Sequence, residues 1–111
     1  MQVHKALGPG LLENVYHECL VFKLEQSGLK VEREKHIPVI FENTKMKCTY
    51  RLDVLVEDRI VLELKSVEAL CDVHKAQLLS YLKLGGFRLG LLINFNTVSL
   101  TTGIKRVING Y

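Results

Sequence analysis

The chain has 111 residues, 48% of them apolar, which suits one folded domain over residues 1–111 and excludes a disordered polymer. A net charge of +3 and a pI near 8.8 permit a polyanionic partner without demanding one. Cys19, Cys48 and Cys71 are odd in number and widely spaced, so they read as reduced, buried thiols rather than a disulfide framework. No apolar run is long enough to span a bilayer and the start lacks a signal-peptide core, so a soluble cytoplasmic protein without membrane association is expected.

Taken in order, Val3–Leu7 reads as the last turn of a helix stopped by Gly8-Pro9-Gly10, as though the chain began partway through that helix. Leu11 to Gln26 follows as a helix whose apolar positions Leu12, Val15, Tyr16, Cys19, Leu20, Val21 and Leu24 form a broad buried face, closed by Ser27-Gly28. Glu13 lies in its first turn, where the helix dipole alone would favour an acid. Tyr16 and His17 share its side and either border a site with it or, for Tyr16, belong to the core.

Residues 30 to 41 suggest a strand with a basic beginning, and Pro38 places it at a sheet edge or at a bulge. Glu42 to Lys45 reads as a turn, and Lys47 to Val56 as the second strand. The third strand follows Glu57-Asp58-Arg59, giving a hairpin with period-two alternation on both sides. Tyr50, Leu52, Val54, Val56, Ile60, Leu62 and Leu64 would form one wholly apolar face. On the other face Leu55 would pair with Val61, Asp53 with Glu63 and Arg51 with Lys65, the two carboxylates' Cβ atoms roughly 5 Å apart. Facing like charges ask for a cation, which Lys65, Arg51 or a metal could supply. A solvated amphipathic hairpin is the plainer alternative.

Asp72 is the expected N-cap of a helix running to Leu84 and ended by Gly85-Gly86, with Gln77 and Tyr81 as neighbours one turn apart. Phe87 to Phe95 reads as a central strand covered on both faces, and residues around Ile104–Ile108 as a last edge strand. The order is helix, three antiparallel strands, helix, strand, with one strand appended: an α/β sheet flanked by helices.

Asp53, then Glu63-Leu64-Lys65, with a helical glutamate before and Gln77-x-x-x-Tyr81 after, resembles the PD-(D/E)xK nuclease superfamily. Gly10-Leu-Leu-Glu13-Asn-Val-Tyr16, with Gln77-Leu-Leu-Ser-Tyr81-Leu and Leu91-Leu-Ile-Asn-Phe95, resembles its GxxExxY branch more closely. Leu52 stands where the motif's name has proline. The resemblance implies the restriction-endonuclease-like αβββαβ core with a mixed central sheet. It further implies a metal-dependent nuclease cutting DNA, with Asp53, Glu63 and the Leu64 carbonyl on Mg²⁺ or Mn²⁺ and Lys65 beside them. Glu13 would aid the metal, Gln77 would complete the catalytic set, and Tyr16 and Tyr81 would be accessory. Members that cut two strands often act as dimers, so a homodimer is the assembly to look for. A silent module binding nucleic acid or protein, and a structural subunit, are the rival classes.

Overall fold

The computed structural model describes residues 13–96 and 103–110. Helix α1 (Glu13–Gln26) precedes three strands, β1 (Val31–Phe41), β2 (Thr44–Val56) and β3 (Ile60–Lys65). Helix α2 (Asp72–Gly85) then crosses to β4 (Leu89–Asn94), and β5 (Ile104–Ile108) completes one sheet in the order β1-β2-β3-β4-β5. β1 to β3 are an antiparallel meander, β3 and β4 run parallel, and β5 returns antiparallel. This is the mixed α/β sheet expected for a restriction-endonuclease-like core. Among the described residues no helix is long and apolar enough to cross a membrane. The expected turn at Val3–Leu7 lies outside the described residues.

Each helix covers one face. Tyr16 and Val21 of α1 pack on Val54, Val56, Leu62, Leu64, Ile93 and Phe95. Leu78 and Leu82 of α2 pack on Tyr50, Leu52, Leu55, Val61, Leu92 and Val107. β4 therefore buries Ile93 on one side and Leu92 on the other, which explains its nearly continuous apolar sequence. Leaving α1, Gly28 adopts φ 87°, and the Leu29 N–H returns to the Leu24 carbonyl, a left-handed stop. A bidentate Arg33–Glu18 pair ties β1 to α1.

The single apolar hairpin face does not form. Tyr50 and Leu52 pack toward α2, whereas Val54 and Val56 pack toward α1. The reason lies at Asp53. Backbone pairing of β2 with β3 ends at Val54↔Leu62, so the expected strand pairings of Asp53 with Glu63 and of Arg51 with Lys65 are not formed. Pairing of β1 with β2 skips the Glu34–Asp53 position, and Glu34 takes φ 49°. The two strands turn over together there, and side chains that alternate regularly on either side change layers across it. The expected pair Leu55↔Val61 and the loop 57–59 are formed. Pro38 is on the edge strand and also beside a register shift.

Two further expectations are corrected. Cys48 and Cys71 are exposed, because one lies on the outer β1–β2 ribbon and the other just ahead of α2. The N-cap of α2 is Cys71 rather than Asp72: Cys71 is extended at φ −126°, ψ 173°, and its N–H donates to Nδ1 of His74 at 3.2 Å. At the other end Gly86 is left-handed (φ 74°), and the Phe87 N–H reaches the Leu82 carbonyl.

Gly85 has a different task. A Cβ there would lie 2.5 Å from the Phe87 ring and 2.6 Å from the Tyr50 hydroxyl. Alanine's better helix propensity is worth about 1 kcal/mol, and overpacking costs about 1–3 kcal/mol. Gly85→Ala is therefore expected to destabilise by about 1 kcal/mol, read as a lower urea midpoint at constant slope; a raised midpoint would contradict the packing argument.

Candidate active site

The turnover at Asp53 builds the site. Where the ladder stops, side chains take over: Asp53 Oδ2 accepts the Leu64 N–H at 2.9 Å, and Glu63 Oε1 lies 3.4 Å from the Asp53 backbone nitrogen that donates to it. The two carboxylates thus interlock across the hairpin. Both are largely withdrawn from solvent, with Glu63 6% and the Asp53 side chain 14% exposed. Burying two acids side by side raises the local demand for a cation. Arg51 answers part of it, with a guanidinium nitrogen 3.9 Å from Asp53 Oδ1 and another 3.8 Å from Glu34. Lys65, half-buried and two residues beyond Glu63 on the same strand face, is in no ion pair among the described residues.

These residues line an open polar groove of about 460 Å³ with Thr49, Tyr50, Leu64, Gln77 and Tyr81. Gln77 Nε2 donates to the Tyr81 hydroxyl at 3.0 Å, so the pair one turn apart on α2 forms a single wall. Tyr81 stacks on Tyr50 with centroids 4.8 Å apart, and the Tyr50 hydroxyl donates to the Tyr81 carbonyl at 2.9 Å. That contact fixes α2 against β2 and sets the distance across the groove. A larger hollow of about 530 Å³ lies at the other end of β3, lined by Asp58, Arg59, Ile60, Gly86, Phe87, Arg88 and Leu89, but it lacks facing carboxylates.

Burial, reinforced by the neighbouring Tyr81, pushes the Tyr50 phenol up to about 12. The folded state holds this proton more tightly than the unfolded chain, whose tyrosines titrate near 10. The resulting stability is complete below about pH 10 and is lost as pH rises through about 12. Tyr50→Phe is expected to flatten that alkaline loss, measured by urea unfolding from pH 9 to 12; an unchanged slope would remove Tyr50 as its source.

The structure brings together Asp53, Glu63, Leu64, Lys65, Gln77 and Tyr81. It does not bring Tyr16, which is fully buried on the α1 face and stacked on Phe95 at 4.1 Å. The Glu13 side chain lies outside the described residues, though its backbone opens α1. Sequence reading passed over Tyr50 as a groove residue, because regular alternation assigned it to the wrong layer. It also passed over Asn94, 1% exposed, whose Oδ1 accepts the Val67 and Asn96 N–H groups and whose Nδ2 donates to the Val67 carbonyl. An asparagine inside an apolar strand was the available signal.

Among the described residues no three His, Cys, Asp or Glu side chains gather. The donors are two carboxylates and nearby backbone oxygen, a hard set that suits Mg²⁺, which keeps several waters, and does not suit a closed zinc site.

A mixed five-stranded sheet between two helices, with paired acids and a lysine at one strand's end, defines the restriction-endonuclease-like class. The family model described as the PD-(D/E)XK nuclease superfamily matches residues 1–107, and the chain belongs to that superfamily. It is also similar to the protein in the crystal structure of SSO0001, with TM-score 0.62 and 20% identity, a likeness of fold. The match covers 89% of this chain and 51% of that one, so the chain spans about half that protein's length. No curated protein matches.

Proposed function

We propose that the chain is a metal-dependent nuclease of the GxxExxY branch that hydrolyses phosphodiester bonds in DNA. The observation that carries this reading is the interlocked Asp53–Glu63 pair with Lys65 lining the same groove and in no ion pair among the described residues. A binding surface has no use for two buried acids facing a polyanion; a metal site does.

Asp53, Glu63 and the Leu64 carbonyl are the residues to hold Mg²⁺ or Mn²⁺, with Glu13 as an outer acid. When bound, the metal supplies a polarised phosphate, an activated water and charge stabilisation at the leaving oxygen. The chain's own groups do the positioning. Lys65 directs its ammonium into the groove, holding the attacking water or a non-bridging oxygen as charge develops. Gln77, held by Tyr81, offers its remaining amide hydrogen or its carbonyl to the same centre. Arg51 moves from Asp53 to a phosphate oxygen when the acid is otherwise engaged. A homodimer would place two such centres on two strands.

The test is cleavage of labelled duplex, single-stranded and branched DNA and structured RNA with Mg²⁺, Mn²⁺ or EDTA. Metal-dependent DNA cutting supports the reading. A folded protein that cuts nothing with either metal would leave a nucleic-acid-binding module instead.

A further inference from the structure

Beyond the groove, β1 and β2 continue as a two-stranded ribbon. From Pro38 to Thr49 none of its residues is buried, and its turn at Glu42-Asn43 has φ 51° and 61°, the tight hairpin geometry. Thr49, at the ribbon's base, also lines the groove, and His36 Nδ1 lies 3.0 Å from its hydroxyl. Lys45 and Lys47 are exposed and are in no ion pair among the described residues, against one acid, Glu42, in this half of the ribbon. At the tip Ile40 and Phe41 are 56% and 63% exposed. Pro38 and the register shift beside it spoil the outer edge as a template for another strand, which disfavours self-pairing.

We propose that this ribbon is a duplex-DNA arm: it lies in the major groove beside the scissile phosphate, with Lys45 and Lys47 on phosphates and Phe41 at the far contact. The proposal rests on the nuclease reading for the position of the cut. A two-stranded ribbon fits the roughly 12 Å major groove of B-form DNA, and the deep, narrow major groove of A-form RNA excludes it. From Asp53 to Thr44 the strand reaches about 30 Å, or about eight to nine base pairs along the duplex. Lysines are needed there rather than a base-reading set, so the arm supplies hold and direction.

The experiment measures binding to B-form duplex in EDTA as a function of salt, for the wild-type chain and Lys45→Ala/Lys47→Ala, with circular dichroism confirming the fold. Duplexes carrying four or twelve base pairs beyond a central nick or preferred cut, on either side, complete it. The double variant is expected to lower the log–log salt slope by about 1.8, and the wild type to bind the short-flanked duplex about tenfold more weakly on one side only. An unchanged slope with no flank dependence overturns the arm. So does concentration-dependent self-association abolished by Phe41→Ser with DNA binding intact, which would make the tip a protein contact. Because binding is read without metal, the arm can stand where no cutting occurs, and cutting with unchanged slopes would sink the arm alone.

Discussion

Asp53→Asn and Glu63→Gln are each expected to lower metal-dependent cleavage by at least about 10³-fold, and Lys65→Ala by about 10²–10³-fold. The informative series is at Asp53, where one oxygen serves the fold and the other faces the groove. Oδ2 accepts the Leu64 N–H, while Oδ1 lies toward Arg51. Asparagine keeps an acceptor for Leu64 and loses the charge. Alanine loses both and leaves a largely buried N–H without its partner, at about 1–3 kcal/mol. The amide variant should therefore unfold close to the wild type and be inactive, and the alanine variant should be both inactive and less stable. Cleavage of labelled duplex and thermal unfolding, measured together, separate these outcomes. An Asp53→Asn protein with more than a tenth of wild-type activity would remove Asp53 from the site.

The second large effect lies at Asn94. Its amide holds the loop after Lys65 by two hydrogen bonds to Val67 and accepts a third from the Asn96 N–H just beyond β4, while the Phe95 N–H reaches the Lys65 carbonyl beside it. Asn94→Ala takes their acceptor from the Val67 and Asn96 N–H groups, while the Val67 carbonyl keeps the Asn96 Nδ2 donor at 3.3 Å, a loss of about 2 kcal/mol, or roughly 8–10 °C in Tm. Asn94→Asp keeps the acceptor and loses the donor, so an intermediate loss is expected. Because Lys65 pairs with Asn94 in the parallel ladder, cleavage should fall about tenfold in the alanine variant even well below its melting temperature. A full-rate enzyme with a lowered Tm would confine Asn94 to a structural role.

Much of this was legible in the chain because period-two alternation and turn chemistry are local. The hairpin loop at 57–59, the Leu55–Val61 pairing and the left-handed stop at Gly86 follow from short-range rules. Asp53, Glu63, Lys65 and Gln77 were legible as chemistry, and the fold gathers them in one groove. What stayed hidden depended on side chains replacing backbone partners. Nothing in the residue pattern announces that carboxylates take over from the ladder at Asp53, so the layer change that sends Tyr50 and Leu52 toward α2 could not be read. Tyr16 shows the converse: its helical position allowed either site or core, and the stack on Phe95 places it in the core.

The interlocked carboxylates also have a kinetic meaning. Their hydrogen bonds span only ten and eleven residues, whereas α2 must cross over before β4 can join β3. Closing so short a loop costs little entropy compared with the parallel crossover. Early ordering of the Asp53 and Leu64 amides, ahead of those in β4, is the expected result of pulse-labelled hydrogen exchange during refolding. The acidic pair then belongs to the local antiparallel meander rather than to the crossover that completes the sheet, and its geometry is set before the α2 wall of the groove arrives.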